Sequence, residues 1–529
     1  MMRLKTAALL LLSVAAMPAL AAPPAGFEKQ VEALRQKIGA PGVAIAIVEN
    51  GKTTMAKGWG VRQLGSNAQV DADTTFQTGS TGKAVTAAAL AILVDEGKIG
   101  WDDPVIKHMP WFRMNDPWVT REITVRDLLV HRSGLGLGQG DLMMVPRTRL
   151  TRRQTVERVA YLKPRTSFRS AYAYDNILYA VAGQLIEEVT GQRWEDFVRA
   201  RVLRAGGMNT ATTDSPERFA VANRSYPHAR LSGPLRGLGA QQLLDERDEL
   251  GRNAAPAGGL TFSANDQAAW LKIQLAGGAL PNGKPLFSKS QATEMWKPVT
   301  IMPLPQLPDS LKAAQPSFQG YALGWQVQDY RGHKIISHGG GVLGSITRVV
   351  LLPEKNVGFA VMLNSEDSGM LLGLSYRMID HYLGLTDNGW IDKWESWYQS
   401  RLEGGRQALA AMQTGKQAGD TKPAASLTAE RFAGRYRDAW YGDVVVGSDA
   451  KGLTIDFTSS PNMAGRLDHW QYNSFITNFD DKSLEKALVT FAIDENGKVT
   501  GVTMKAANPI ADFSWDYHDL DLKPLEGGK

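Results

Sequence analysis

Gly79-Ser80-Thr81-Gly82-Lys83 opens the run Ala84-Val85-Thr86-Ala87-Ala88-Ala89-Leu90-Ala91-Ile92-Leu93-Val94-Asp95-Glu96-Gly97. The run is rich in Ala and Leu and free of proline, which predicts a helix, and Gly97 before Lys98 marks its stop. Positions three apart share a helix face, so an amine at Lys83 would stand beside the Ser80 hydroxyl. A helix N-terminus also offers free N–H groups and the positive end of the dipole, which suit a developing oxyanion. Ala84, Ala87 and Ala91 continue that face with small side chains, so the helix is expected to be central and closely packed. Ser-x-x-Lys alone occurs by chance in many helices, and the rest of the chain has to decide its meaning.

Outward from this stretch, Phe27 to Ile38 reads as an amphipathic helix. Gly42 to Val48 and Thr53 to Gly60 read as strands joined at Asn50-Gly51, a strong hairpin signal. Helical patterns dominate from Ser80 to about Leu275. Strand patterns return at Tyr321 to Gln328, Lys334 to His338, Ile346 to Leu352 and Val357 to Leu363. Strands at both ends of a region with helices between predict an α/β (α+β) fold, in which a mostly antiparallel sheet is flanked by helices and joined to a helical subdomain. A cleft between the two parts is the natural place for a site. Gly389 to Met412 reads as a helix, and Gln413 to Ala425 has linker composition. Beyond Ser426 short alternating strands predict a small all-β barrel-like domain. The expected division is 22–386 for the first domain, 387–425 for the helical segment and linker, and 426–529 for the barrel.

The chain has 529 residues, too many for one core. Residues 1–21 read as a secretory leader: Arg3 and Lys5 precede the apolar run Thr6 to Ala16, and Ala19-Leu20-Ala21 offers a small-x-small cleavage site. The expected location is therefore secreted or periplasmic, with no transmembrane anchor. There is no cysteine, which excludes disulfides, thiol catalysis and Cys-ligated metal. The formal charge of +5 is a mild bias for this length, and losing Arg3 and Lys5 would lower it by two. Arg147, Arg149, Arg152 and Arg153 form the densest basic cluster, read as a solvated face; it is too small for a nucleic-acid footprint.

Three further stretches give Ser-x-x-Lys its context. Tyr174-Asp175-Asn176 lies just before a helical run, His338-Gly339-Gly340-Gly341 follows a strand, and Ala257-Gly258-Gly259-Leu260 precedes a helix near Asp266. In this order they resemble the serine β-lactamase and penicillin-binding-protein superfamily, in particular the class C β-lactamase-like branch with its D-stereospecific peptidases and esterases. The resemblance covers about Phe27 to Leu385. Tyr321-Ala322-Leu323-Gly324-Trp325 and Ile123 to Gly134 add to it. The C-terminal part resembles the lipocalin-like domains that follow such catalytic domains in some members.

The resemblance implies an exported serine hydrolase that cleaves an amide, peptide or ester through an acyl-enzyme on Ser80, with no cofactor. Its substrate would be a small molecule or a peptide, including cell-wall material with D-amino acids. In that family Ser80 would be the nucleophile and Lys83 would take or share its proton. Tyr174 would act as general base and acid, and Asn176 would hold the substrate amide and Lys83. Ser80 and Gly341, past His338 and Gly340, would supply the oxyanion N–H groups. Lysine and tyrosine can be bases near neutrality only when desolvated or set beside positive charge. One departure matters: His338-Gly339-Gly340 stands where many β-lactamases carry Lys-Thr-Gly, and histidine is largely neutral at pH 7. A β-lactamase, or a penicillin sensor that is acylated without turnover, remains as an alternative. A Walker loop would need glycine at Gln77 and Ser or Thr at Ala84. No Gly-x-Ser-x-Gly elbow surrounds Ser80, and no His-x-x-x-His spacing suggests zinc. Gly134, Gly136, Gly138 and Gly140 read as a flexible loop. Trp440, Trp470 and Trp515 read as core or rim packing. Oligomeric state is left open.

Overall fold

The computed structural model describes residues 23–246, 250–414 and 424–525. The leader reading and much of the linker fall outside them. An eight-stranded sheet carries the first domain, in the order Lys52–Gly60, Gly42–Glu49, Val357–Leu363, Ser345–Leu352, His333–Val342, Gln326–Tyr330, Gln319–Tyr321 and Thr300–Ile301. Every neighbouring pair is antiparallel. The first strands of the chain close on one of the last, with Ala46 opposite Ala360.

Gly42–Glu49 is buried along its whole length, so its alternating side chains feed two different cores. Val43, Ile45 and Ile47 meet Phe27 and Val31 of helix Phe27–Ile38 and Leu374 and Ile379 of helix Ser368–Leu383. Ala44, Ala46 and Val48 face the opposite core, shared with helix Ala264–Leu275 and the serine helix Lys83–Asp95. Every residue of that helix from Lys83 to Leu93 is buried, as an all-round apolar helix requires.

Two strand expectations are corrected, and both corrections shape the site. The run Tyr321 to Gln328 is not one strand but two, broken at Gly324, which has φ +77°. A β-carbon there would lie 2.9 Å from Ala84 Cα and N and from Lys83 C, so the turn presses on the start of the serine helix. The strand expected to end at His338 instead continues to Val342, because Gly339, Gly340 and Gly341 pair with Arg348, Thr347 and Ile346. On the other side the pairing with Gln326–Tyr330 ends at Ser337, which frees the glycine edge for the Ser80 turn.

The basic cluster is a solvated face only in part: Arg147 and Arg149 are exposed, but Arg152 is not. Arg152 is buried and ion-paired with Glu187 and Glu195, and it donates to the Arg252 carbonyl at 2.9 Å. Arg153 lies 3.3 Å over the Trp111 ring, and Arg149 donates to the Thr458 carbonyl. Removing one partner of a buried ion pair strands the other. Arg152→Ala is therefore expected to lower stability by about 3 kcal/mol, read as a lower urea midpoint at unchanged slope; a neutral result would mean that Glu187 and Glu195 find other partners.

The C-terminal domain is a nearly closed antiparallel barrel, ordered Val499–Ala506, Ala487–Ile493, Ser474–Phe479, Ala464–Gln471, Gly452–Phe457, Gly442–Asp449, Gly434–Asp438 and Lys523–Pro524. Val502 and Leu522 exchange backbone hydrogen bonds across the seam. Phe432, Phe457, Phe475, Phe479 and Phe491 fill its interior. Helix Trp390–Thr414 packs on both parts: Trp394 stacks on Tyr376 and Trp390 donates to Asp380 at 2.6 Å on the first domain, and a β-carbon at Gly405 would lie 2.8 Å from Ile510 of the C-terminal domain. Among the described residues no helix is long and apolar enough to cross a membrane.

Candidate active site

Ser80 lies in the 3-10 turn Gly79–Gly82 that leads directly into the serine helix, and Lys83 is the first residue of that helix. The Lys83 Nζ donates to Ser80 Oγ at 3.0 Å, to Asn176 Oδ1 at 2.6 Å and to the Ala257 carbonyl at 2.9 Å. All three donor positions of an ammonium are thus used. The amine also sits 4.9 Å from the Tyr174 ring centroid and 5.0 Å from that of Tyr179. Burial disfavours its charged form and lowers its pKa to about 7, against the opposing pull of Asp141 and Asp175. At neutral pH a sizeable fraction of Lys83 is therefore free amine.

Tyr174 precedes helix Ile177–Thr190 in a buried loop. Its carbonyl accepts from Gly138 N, and its ring lies 4.1 Å from that of His131. His131 Nδ1 accepts from Asp175 N at 3.1 Å, and Ser133 donates to the Asp175 carboxylate. His131 is thus a structural prop behind Tyr174, held neutral by its own burial. Burial raises the Tyr174 pKa well above the ordinary phenol value, only partly offset by the hydrogen bond with Ser80. A phenol in that state donates a proton more readily than it takes one.

His338 is buried and does not bring charge to the site. Its Nδ1 lies 2.6 Å from the Gly339 carbonyl, which can only accept, so Nδ1 carries the proton and Nε2 accepts from Tyr321 Oη at 2.7 Å. Burial and the nearby Lys83 push its pKa down to about 3. His338 is therefore an uncharged acceptor and lends no positive charge to Lys83 or Tyr174. Tyr321, which links His338 to the His131 and Tyr179 rings, is a polar member of the site that sequence reading did not single out.

The glycine edge explains how the two halves meet. A β-carbon at Gly340 would lie 2.0 Å from the Thr78 carbonyl and 3.0 Å from Ser80 N and Thr81 N, and one at Gly79 would lie 2.6 Å from Gly341 N. Backbone thus approaches backbone where side chains would not fit, with the Ser80 turn against Gly341 N.

In front of Ser80 opens a cleft of about 280 Å3. Asn176, Gly341 and Leu343 line it from the first domain, Tyr398 and Arg401 from helix Trp390–Thr414, and Ile510, Asp512 and Trp515 from the C-terminal domain. The glycine-rich loop read as flexible is fastened beneath it: Gly140 N and Leu142 N donate to the Asp516 carboxylate at 2.6 and 2.9 Å. A β-carbon at Gly138 would strike the Phe513 carbonyl. Trp515 is both a buried packing residue and a wall of the cleft. No local signal marks the C-terminal residues as part of a site, because they are separated from it by the whole first domain.

Residues 27–381 match the family described as Beta-lactamase. The chain belongs to that family. It is thus a serine hydrolase relative of the β-lactamase and penicillin-binding-protein type. Residues 418–524 match a domain of unknown function, DUF3471. Among curated proteins, this β-lactamase-family chain is 29% identical over 422 residues to an unguisins hydrolase, ungD', of Aspergillus campestris, covering 77% of the chain and 74% of the relative. It is 27% identical over 349 residues to penicillin-binding protein 4 of Amycolatopsis lactamdurans, covering 64% and 85%. In fold it is similar to the octameric penicillin-binding protein homologue of Pyrococcus abyssi (TM-score 0.57, 21% identity, 92% of this chain and 98% of that one). It is also similar to the D-amino acid amidase of Ochrobactrum anthropi (TM-score 0.53, 20% identity, 68% and 97%).

Proposed function

We propose that this protein hydrolyses an amide or peptide bond through an acyl-enzyme on Ser80. The observation that carries this reading is the buried Lys83 amine, 3.0 Å from Ser80 Oγ and with its pKa lowered to about 7. Neutral Lys83 takes the Ser80 proton as Oγ attacks the substrate carbonyl carbon. The N–H groups of Ser80 and Gly341 receive the oxyanion; one such donor contributes about 3 kcal/mol. Tyr174, held as a phenol, gives a proton to the departing amine nitrogen and regains one from protonated Lys83, which returns the lysine to free amine; Asn176 orients both Lys83 and the substrate amide. Water then repeats the sequence on the ester, releasing the acid and restoring Ser80.

A hydrolytic reading is supported by the unguisins hydrolase among the relatives, and a peptide or amide substrate, D-residues included, is the class that the sequence resemblance implies. The neutral His338 offers no fixed cation to a β-lactam carboxylate, which places β-lactam hydrolysis second. Export is part of the proposal and rests on the leader alone.

The test is a set of D- and L-amino acid p-nitroanilides, a p-nitrophenyl ester and nitrocefin, with intact mass followed over time. Wild type is expected to release nitroaniline and to carry a transient adduct on Ser80, whereas Ser80→Ala shows no adduct and at least a ~1000-fold loss. Full activity in Ser80→Ala would sink the reading. A stable penicillin adduct without turnover on any substrate would favour a sensor.

A further inference from the structure

Behind the Lys83–Asn176 pair lies a carboxylate that no motif marks. Asp141 is fully buried at the end of the glycine-rich loop. Its Oδ2 accepts from Asn176 Nδ2 at 2.8 Å and from Ser514 Oγ at 2.8 Å, while its Oδ1 is buried without a hydrogen-bond partner among the described residues. Asn176 therefore spans Lys83 and Asp141, with its Oδ1 on the amine and its Nδ2 on the carboxylate. That arrangement fixes which way round the amide is turned, since only an acceptor can face Lys83 when the donor end is taken. Ser514 belongs to the C-terminal domain, and so does Asp516, whose carboxylate receives the N–H groups on either side of Asp141, from Gly140 and Leu142.

We propose that Asp141 is a positioning residue of the catalytic centre, held from the C-terminal domain by Ser514 and Asp516, so that the active site is completed by a domain outside the β-lactamase match. The inference rests on the reading of Lys83 as the base. The charged and titratable groups around Asp141 are Lys83 on the serine helix, Tyr174 in the loop before Ile177–Thr190, and Asp512 and Asp516 in the C-terminal segment, while Asp175 of that loop acts on Lys83. Lys83 is the only cation among these named groups. Burial raises the Asp141 pKa to about 7, against the opposing pull of the Asn176 and Ser514 hydrogen bonds and of Lys83; burial lowers that of Lys83 to about 7, against the opposing pull of Asp141 and Asp175. The Ser514 hydroxyl favours the ionised carboxylate. Removing the charge, or the hydroxyl that supports it, should thus let the lysine lose its proton at lower pH.

The experiment uses the full chain labelled with [ε-13C]lysine, with the Lys83 resonance assigned by its loss in Lys83→Arg. Asp141→Asn is expected to move the Lys83 midpoint down by roughly one pH unit. Ser514→Ala moves it in the same direction by less, and Ser514→Thr, which keeps the hydroxyl, restores it. In parallel, p-nitrophenyl ester hydrolysis is expected to show the acid limb of kcat displaced to lower pH in Asp141→Asn, with KM little changed. A purely structural role would move stability but not these midpoints. An unchanged Lys83 midpoint in folded Asp141→Asn and Ser514→Ala overturns the proposal. If instead Ser80→Ala leaves hydrolysis intact, the acyl-enzyme reading falls, while the lysine titration, which needs no turnover, still decides this one.

Discussion

Lys83→Met is expected to lower acylation of Ser80 by about 10^3- to 10^4-fold and to remove the acid limb of the pH profile. Methionine keeps the length and apolar stem of the lysine but has no amine to accept the serine proton. In the proposed mechanism the base is the free Lys83 amine, whose pKa burial lowers to about 7. Acylation should therefore be low below pH 6, rise as pH passes through 7, and level off above 8. The sign follows from the depressed pKa: an ordinary lysine near 10.4 would place that rise three units higher. Measuring kcat/KM from pH 5 to 9 on the p-nitroanilide or ester found active checks both points. A Lys83→Met variant with the same limb near 7 would move the base role to another group. Tyr174 is a poor candidate for a resting base, because burial holds it as a phenol.

Gly340→Ala is expected to have the next largest effect. Its β-carbon would fall 2.0 Å from the Thr78 carbonyl, and the atoms it meets are backbone on the far side as well. No side-chain rotation relieves that contact, so the strand edge and the Ser80 turn must separate. A displacement of about 1 Å at a catalytic group can cost ~100-fold in rate, and a loss of that order in kcat/KM is expected. Gly339→Ala is the matched control: nothing lies within 4 Å of a β-carbon at Gly339, and a far smaller loss should follow. Equal losses in the two variants would mean that the approach of strand to serine turn is not what the glycine protects.

Much of this site was legible because it is written in short stretches. Ser80 and Lys83 are three residues apart, and Tyr174 and Asn176 are two apart, so helix periodicity and loop position carry their relation. Strand ends were less legible. Gly339 to Gly341 has no side chains to alternate, so nothing in the local pattern says that pairing with Ser345–Leu352 continues through them. Tyr321 to Gln328 has the composition of one strand, and only the pressure of the Gly324 turn on Ala84 breaks it in two. Arg152 looked like a surface cation because its partners, Glu187 and Glu195, lie in other helices.

The sequence by itself determined the helix that begins at Lys83 next to Ser80, the antiparallel sheet around it and the separate all-β tail, since each follows from hydrophobic period, glycine and turn chemistry over a dozen residues or fewer. Only the tertiary structure decided what the site groups are chemically. Lys83 has its pKa lowered to about 7, His338 is an uncharged acceptor and Tyr174 a phenol because each has lost its water, and desolvation is a property of everything packed around a group. The same holds for the reach of the C-terminal domain into the cleft. Ser514 and Asp141 are 373 positions apart, a distance over which no local pattern operates and only folding brings a hydroxyl to a carboxylate.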